Sequence, residues 1–187
     1  FELGVAKLLL GLAPGDPLCA PLANAGKLVR TLAVALAPDP RHAASAARAS
    51  TVARAALASF GVEATEGRVA GVEQALVLCA DHELNVSAFA ARVVASAGAT
   101  LPACITAALA AFSGPAHGAA SDRVEALLDE VGSPARARAV LAERVRRGEA
   151  LAGFGHPLYP AGDPRGAQLL SVARATRTGS PRLKLLD

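Results

Sequence analysis

The chain contains no methionine and no tryptophan, a single tyrosine, and aromatic residues at 3 % of its 187 positions. A core without large rings packs its elements through small side chains, and alanine accordingly makes up about a quarter of the sequence. Cysteine is scarce as well. Cys19, Cys79 and Cys104 are an odd number in apolar contexts with no C-x-x-C spacing, which excludes a disulfide framework and a zinc site and fits a reducing, cytoplasmic setting. No H-x-x-x-H or H-E-x-x-H pair occurs, so no metal centre is expected. Blocks of one charge are missing: 16 Arg and 3 Lys are scattered through a chain of net charge +3 and pI about 9.1, a poor footprint for nucleic acid. Period-2 alternation of β-branched and aromatic residues is absent too, and with it any convincing strand.

What is present is apolar. Hydrophobic residues reach 52 % against 19 % charged, with a mean hydropathy of +0.36, so the chain folds. Arg92 to His117 holds no charge over about two dozen residues, long enough to cross a bilayer. Gly98, Pro102, Gly114 and Pro115 interrupt it, and its Ala, Ser and Thr content suits buried helices better than a membrane span. No basic segment followed by an apolar one and a cleavage site opens the sequence. The absent initiator methionine and the amphipathic start at Phe1-Glu2-Leu3 predict a fragment of a longer protein.

Helix starts are written in capping pairs. Asp39-Pro40, Ser133-Pro134, Asp163-Pro164 and Ser180-Pro181 each place a side-chain acceptor ahead of a proline suited to the first helical position. Periodicity predicts helices over Glu2 to Leu12, Leu22 to Leu36, Arg41 to Phe60, Arg68 to Ala80, Ser87 to Ala97, Pro102 to Ser113, Gly118 to Val131, Pro134 to Arg147 and Pro164 to Thr176. The fold class is all-α with short connections. No motif recurs at a fixed period.

Three polar stretches interrupt this apolar helical background, each with a histidine: Asp81-His82-Glu83-Leu84-Asn85-Val86-Ser87, Gly114-Pro115-Ala116-His117-Gly118, and Gly153-Phe154-Gly155-His156-Pro157-Leu158-Tyr159. Any one alone suits a hydrogen-bonded structural histidine. The fourth histidine, His42, lies in a polar, Arg-dotted helix and is expected on the surface. The cluster Arg144, Arg146 and Arg147 reads as a cationic last helical turn complementing the helix dipole.

Taken in order, with 35 and 39 residues between successive histidines and Asp163-Pro164-Arg165 following, the three motifs resemble the citrate synthase family from about Val69 to Ala175. The resemblance implies a multi-helical large domain over residues 1–150, carrying scaffold and dimer contacts. Residues 151–187 would then hold the active-site turn and the start of a small CoA-closing domain, apparently truncated. It further implies an acyltransferase of the tricarboxylic acid cycle type, which condenses an acyl-CoA, usually acetyl-CoA, with oxaloacetate and then hydrolyses the thioester. Deprotonating a methyl group beside a thioester puts charge on the thioester oxygen, and carbon attack puts charge on the keto oxygen, so each oxygen needs a donor. By motif position these donors are His117 and His156. His82 and Arg165 match the positions that clamp the dicarboxylate. Ser87, with Asn85 beside it, is expected to orient His117, and Gly153, Phe154 and Gly155 to line the CoA side. No bound cofactor is implied, acyl-CoA being a substrate whose phosphates are the alternative partner of the Arg144, Arg146 and Arg147 cluster, and the partner implied is a second copy of the chain.

The sequence also departs from the family. Its general base, an aspartate in an Asp-Phe-Tyr-type segment, has no counterpart after Arg165, where Asp187 lacks the matching context. Ala119-Ala120-Ser121 stands where Gly-Ala-Asn is common, and Pro157 where Arg is usual. The departures predict a chain that stops before the catalytic end, or a degenerate member. A citryl-CoA-type lyase and a non-catalytic ligand-binding or scaffold protein are the alternatives to the condensing enzyme.

Overall fold

The computed structural model describes residues 25–80, 84–156, 159–176 and 180–186. Among them are nine α-helices and no strand: α1 (Ala25–Ala35), α2 (Pro40–Arg48), α3 (Val52–Ser59), α4 (Glu66–Leu78), α5 (Val86–Ser96), α6 (Leu101–Phe112), α7 (Ala120–Val131), α8 (Pro134–Arg146) and α9 (Pro164–Thr176). A 3₁₀ turn, Leu183–Leu185, follows. The fold class is therefore all-α, as the sequence predicts. The expected helix over Glu2 to Leu12, the first residues of the Leu22 to Leu36 helix, and Cys19 lie outside the described residues. None of the described helices is long and apolar enough to cross a membrane. The chain divides into two compact units, one ending at Ser113 and the other beginning at Gly114.

In the first unit the short helix α3 is buried on two sides. Ala53 and Leu57, one turn apart, meet Val69 of α4, whereas Ala55 meets Ala33 of α1 and Ala46 of α2. The three alanines at this crossing are at most 5 % exposed, so three backbones approach with nothing larger than a methyl group between them. Ser59, also on α3 and fully buried, donates its hydroxyl to the carbonyls of Ala33 (2.6 Å) and Ala55 (2.9 Å), so its polar atom is satisfied. Leu28 of α1 packs on Leu101, Ile105 and Leu109 of α6. Leu28, Leu57 and Val69 each contribute about 1.5–3 kcal/mol by leaving water.

One expectation needs correcting. The periodicity from Arg41 to Phe60 predicts a single helix, but the chain breaks at Ala49–Thr51 into α2 and α3. Thr51 is extended and its hydroxyl accepts the Arg54 N–H at 3.2 Å, capping α3. The guanidinium of Arg30, from α1, donates to the carbonyls of Ala47 and Ala49 at the end of α2. A tertiary donor thus satisfies carbonyls that a continuous helix would have used itself. The break lets α2 and α3 both reach α1.

His42, expected on the surface, keeps 37 % of its side chain exposed and is fixed by a partner. Its Nδ1 lies 2.8 Å from Asp39 Oδ2, while Asp39 Oδ1 accepts the N–H groups of Arg41 and His42 and so caps α2. The backbone bond from His42 N–H is the largest of the effects that hold the Asp39 carboxyl below its ordinary range. The far edge of the ring lies against Gly61, where a Cβ would stand 2.6 Å from His42 Nε2 and φ is +64°. Both space and backbone conformation demand glycine there.

The second unit has a thinner apolar core and more charge. Leu127 and Val131 of α7 are its buried apolar residues among those described. Around them arginines pair with carboxylates. Arg144 of α8 bonds Glu130 of α7 and lies 3.3 Å from Glu149, Arg146 and Arg147 pair with Glu143, and Arg182 reaches Glu125 (3.0 Å) and Asp129 (2.6 Å) of α7. The cluster at the end of α8 is thus the cationic last turn expected, with its charges matched by neighbouring glutamates.

Candidate active site

Two of the three histidine motifs fall in the second unit. His117 sits between α6 and α7 in a run of tight backbone bonds: its N–H donates to Gly114 O at 2.9 Å, Ala120 N–H to His117 O at 3.0 Å, and Ser121 N–H to Gly118 O at 3.1 Å. The helix expected from Gly118 therefore starts at Ala120, because these turns precede it. The imidazole is half-buried.

His156 belongs to the glycine-spaced segment after α8. Gly153 and Gly155 both have positive φ, +86° and +78°, and Phe154 between them is 68 % exposed. At Gly153 a Cβ would lie 3.1 Å from Val124 Cγ2 of α7, so this glycine allows the segment to press on a helix. From His156 onward the backbone turns repeatedly: Tyr159 N–H donates to His156 O, Gly162 N–H to Tyr159 O, and Gly166 N–H to Asp163 O, at 2.9, 2.9 and 3.1 Å. Pro157 and Leu158 lie outside the described residues.

These turns gather four side chains. The Tyr159 ring is 5.1 Å from the His156 ring, centroid to centroid, and the Arg165 guanidinium stands 5.3 Å over the Tyr159 ring. Asp163 grips the same guanidinium from the side, with Arg165 Nε 2.9 Å from Oδ1 and Nη2 2.5 Å from Oδ2. Asp163 Oδ1 also accepts the Arg165 backbone N–H at 2.9 Å, at the start of α9. The ion pair, and above all the hydrogen bond from Arg165, holds the Asp163 carboxyl down at about 2, with the His156 charge acting in the same direction. Arg165 is thereby a cation in a fixed orientation, its side chain 17 % exposed.

The remaining expected residues fall in the first unit. Asn85 caps α5: its Oδ1 accepts Ala88 N–H and the Ser87 hydroxyl, both at 2.9 Å. His82 lies at positions 81–83, outside the described residues. Cys79 is exposed and Cys104 buried, both as free thiols. Among the described residues no three His, Cys, Asp or Glu side chains converge as metal ligands would.

Sequence reading assigned His156 and Arg165 but gave Tyr159 no role and Asp163 only a capping one. The available signal was Asp-Pro-Arg, a capping acceptor two residues ahead of a guanidinium.

Comparison with known proteins agrees with these motifs. Residues 22–187 match the family described as "Citrate synthase, C-terminal domain". The chain is 38 % identical over 114 residues to citrate synthase 2 of Bacillus subtilis, covering 61 % of this chain and 31 % of that protein. It is 40 % identical over 96 residues to the 2-methylcitrate synthase of Shewanella oneidensis, covering 51 % and 26 %. The crystal structure of citrate synthase from Thermotoga maritima shares the fold with a TM-score of 0.59 at 23 % identity, covering 98 % of this chain and 58 % of that one. The chain spans about a third of the length of the curated relatives it matches.

Proposed function

The chain belongs to the citrate synthase family, and from that premise we propose that its protein condenses an acyl-CoA with a keto dicarboxylate such as oxaloacetate, giving citrate or an analogue and free CoA. The observation that carries this reading is the gathering of His156 and Arg165 on one tyrosine ring. A carbonyl-polarising donor and a carboxylate-binding cation side by side are what a 2-keto acid requires, because its ketone and carboxylate are adjacent.

In this proposal a carboxylate base of the full-length protein takes the α-proton while His117 donates to the thioester oxygen, stabilising the enol. The enol carbon attacks the ketone, a carbon–carbon bond forms, and His156 donates to the oxygen that gains charge. Water then cleaves the thioester and CoA leaves as a thiol. Arg165 holds a carboxylate of the keto acid, and Gly153 to Gly155 line the CoA side. Acetyl-CoA is the proposed acyl donor. Similarity to a 2-methylcitrate synthase makes a donor one carbon longer the second to test.

A homodimer is part of the same proposal. It is supported by α6, apolar along most of its length with Pro102 and Cys104 as its buried residues, and by α5, which exposes Val86, Phe89 and Val93. A cytoplasmic setting accords with the free thiols. Light scattering checks the dimer, and a monomer mass overturns it.

The deciding assay adds oxaloacetate and acetyl-, propionyl- or longer acyl-CoA to the full-length protein and follows thiol release. Turnover that disappears in His117→Ala while dicarboxylate binding persists is the expected result. Absence of turnover with every acyl-CoA overturns the proposal.

A further inference from the structure

We propose that Tyr159 and Asp163 are positioning residues that set the distance and direction between His156 and Arg165, and so determine affinity for the keto acid rather than for the acyl-CoA. The inference rests on the proposed function and deepens it.

Asp163 does two things with one carboxylate. Oδ1 accepts the Arg165 backbone N–H, which fixes where α9 begins, and both oxygens engage the guanidinium of that same residue. A guanidinium on a flexible stem loses rotamer freedom when it binds a carboxylate, and an arginine already held bidentate has lost it beforehand. Tyr159 supplies the lateral constraint. Its ring lies against both the imidazole and the guanidinium, so neither can swing toward the other's place without displacing it. The backbone bonds from Tyr159 to His156 and from Gly162 to Tyr159 fix the ring's own root. Backbone hydrogen bonds at Tyr159, Gly162 and Gly166 therefore set the spacing of His156 and Arg165, and an aromatic plate lies between them.

A keto dicarboxylate presents its ketone and carboxylate at a fixed separation, so displacing either protein group costs affinity for that substrate. The acyl-CoA is assigned in the proposed reaction to His117 and the Gly153 to Gly155 segment, so its affinity does not depend on that separation. Both contacts are made by the ring of Tyr159 and not by its hydroxyl.

The test uses the full-length protein and four variants. Asp163→Asn keeps an acceptor for the α9 cap and removes the charge; Asp163→Ala removes both. Tyr159→Phe keeps the plate; Tyr159→Leu removes it. The readouts are KM for oxaloacetate, KM for acetyl-CoA, and oxaloacetate binding by calorimetry. Asp163→Asn and Tyr159→Leu should raise KM and Kd for oxaloacetate about tenfold with KM for acetyl-CoA within about twofold, and Tyr159→Phe should match wild type within about twofold. Equal rises in both KM values, unchanged oxaloacetate affinity, or a Tyr159→Phe variant as impaired as Tyr159→Leu overturns the inference. If Asp163→Ala unfolds, Asp163→Asn still decides. Wild type that neither turns over nor binds oxaloacetate overturns the condensing-enzyme reading and this inference with it. Normal wild type with unaffected variants overturns the inference alone.

Discussion

The two units of this chain are held together by different forces. Up to Ser113 the helices meet through alanine, with Ala33, Ala46 and Ala55 at the crossing of α1, α2 and α3 and a buried serine bonded across it. From Gly114 onward, arginines matched to carboxylates surround a small apolar contact centred on Leu127 and Val131. Close apolar packing is rigid and insensitive to salt, and its cost appears when volume changes. Exposed ion pairs contribute little each and are screened by salt. The proposed catalytic histidines His117 and His156, and Arg165, belong to the second kind of structure. Polar groups there orient a cation and an imidazole.

The largest effect is expected from His156→Ala, which removes a proposed donor on an exposed segment: kcat should fall on the order of 10²–10³ with the melting temperature unchanged. A fall in melting temperature comparable to that of a core variant would place His156 in the scaffold instead. Next comes Ala55→Leu, which forces extra methylenes between three backbones and should cost about 1–3 kcal/mol in denaturant unfolding, with kcat per folded molecule intact. Ser59→Ala should cost about 1 kcal/mol by the same measurement, since it deletes the hydroxyl bonded to two carbonyls. Arg182→Gln should change stability by less than about 1 kcal/mol, and the difference should vanish in high salt. A salt-insensitive loss would show that the pairs to Glu125 and Asp129 are more than surface contacts.

The smallest effect is one of pH. The Asp163 carboxyl is held at about 2, below its ordinary 3.8, so it binds a proton more weakly in the folded chain than in the unfolded one. Its stabilising contribution is therefore complete above about pH 4 and is lost as pH falls through about 2. Carboxyl chemical shifts followed through an acid titration should show one aspartate titrating near 2, and Arg165→Leu should return it toward the ordinary value.

Two Asp-Pro pairs made helix starts legible, whereas Ser133 makes no capping bond at α8 and the expected start at Ser180-Pro181 is followed, among the described residues, by the 3₁₀ turn Leu183–Leu185 and no α-helix. Asp39-Pro40 and Asp163-Pro164 open α2 and α9 with the aspartate accepting the first free N–H groups, contacts that span only two or three residues. The order of the histidine motifs was legible for the same reason, since each is a short run of chain. The break between α2 and α3 was not, because the donor that satisfies the end of α2 is Arg30, seventeen residues before Ala47. Nor did periodicity distinguish Ala53, facing α4, from Ala55, facing α1 and α2, since both sides of α3 are buried.

The all-α class, most helix starts and the order of the family's motifs were thus settled by the sequence alone, because all of them depend on neighbours within a turn or two. Tertiary structure decided that Asp163 and Tyr159 bear on Arg165 and His156, that His42 is bonded to Asp39 and lies against Gly61, and that alanine is the contact at the α1, α2 and α3 crossing. Those outcomes require side chains from separate turns and helices to share one space, and a linear pattern does not encode which of its many small or charged residues will meet.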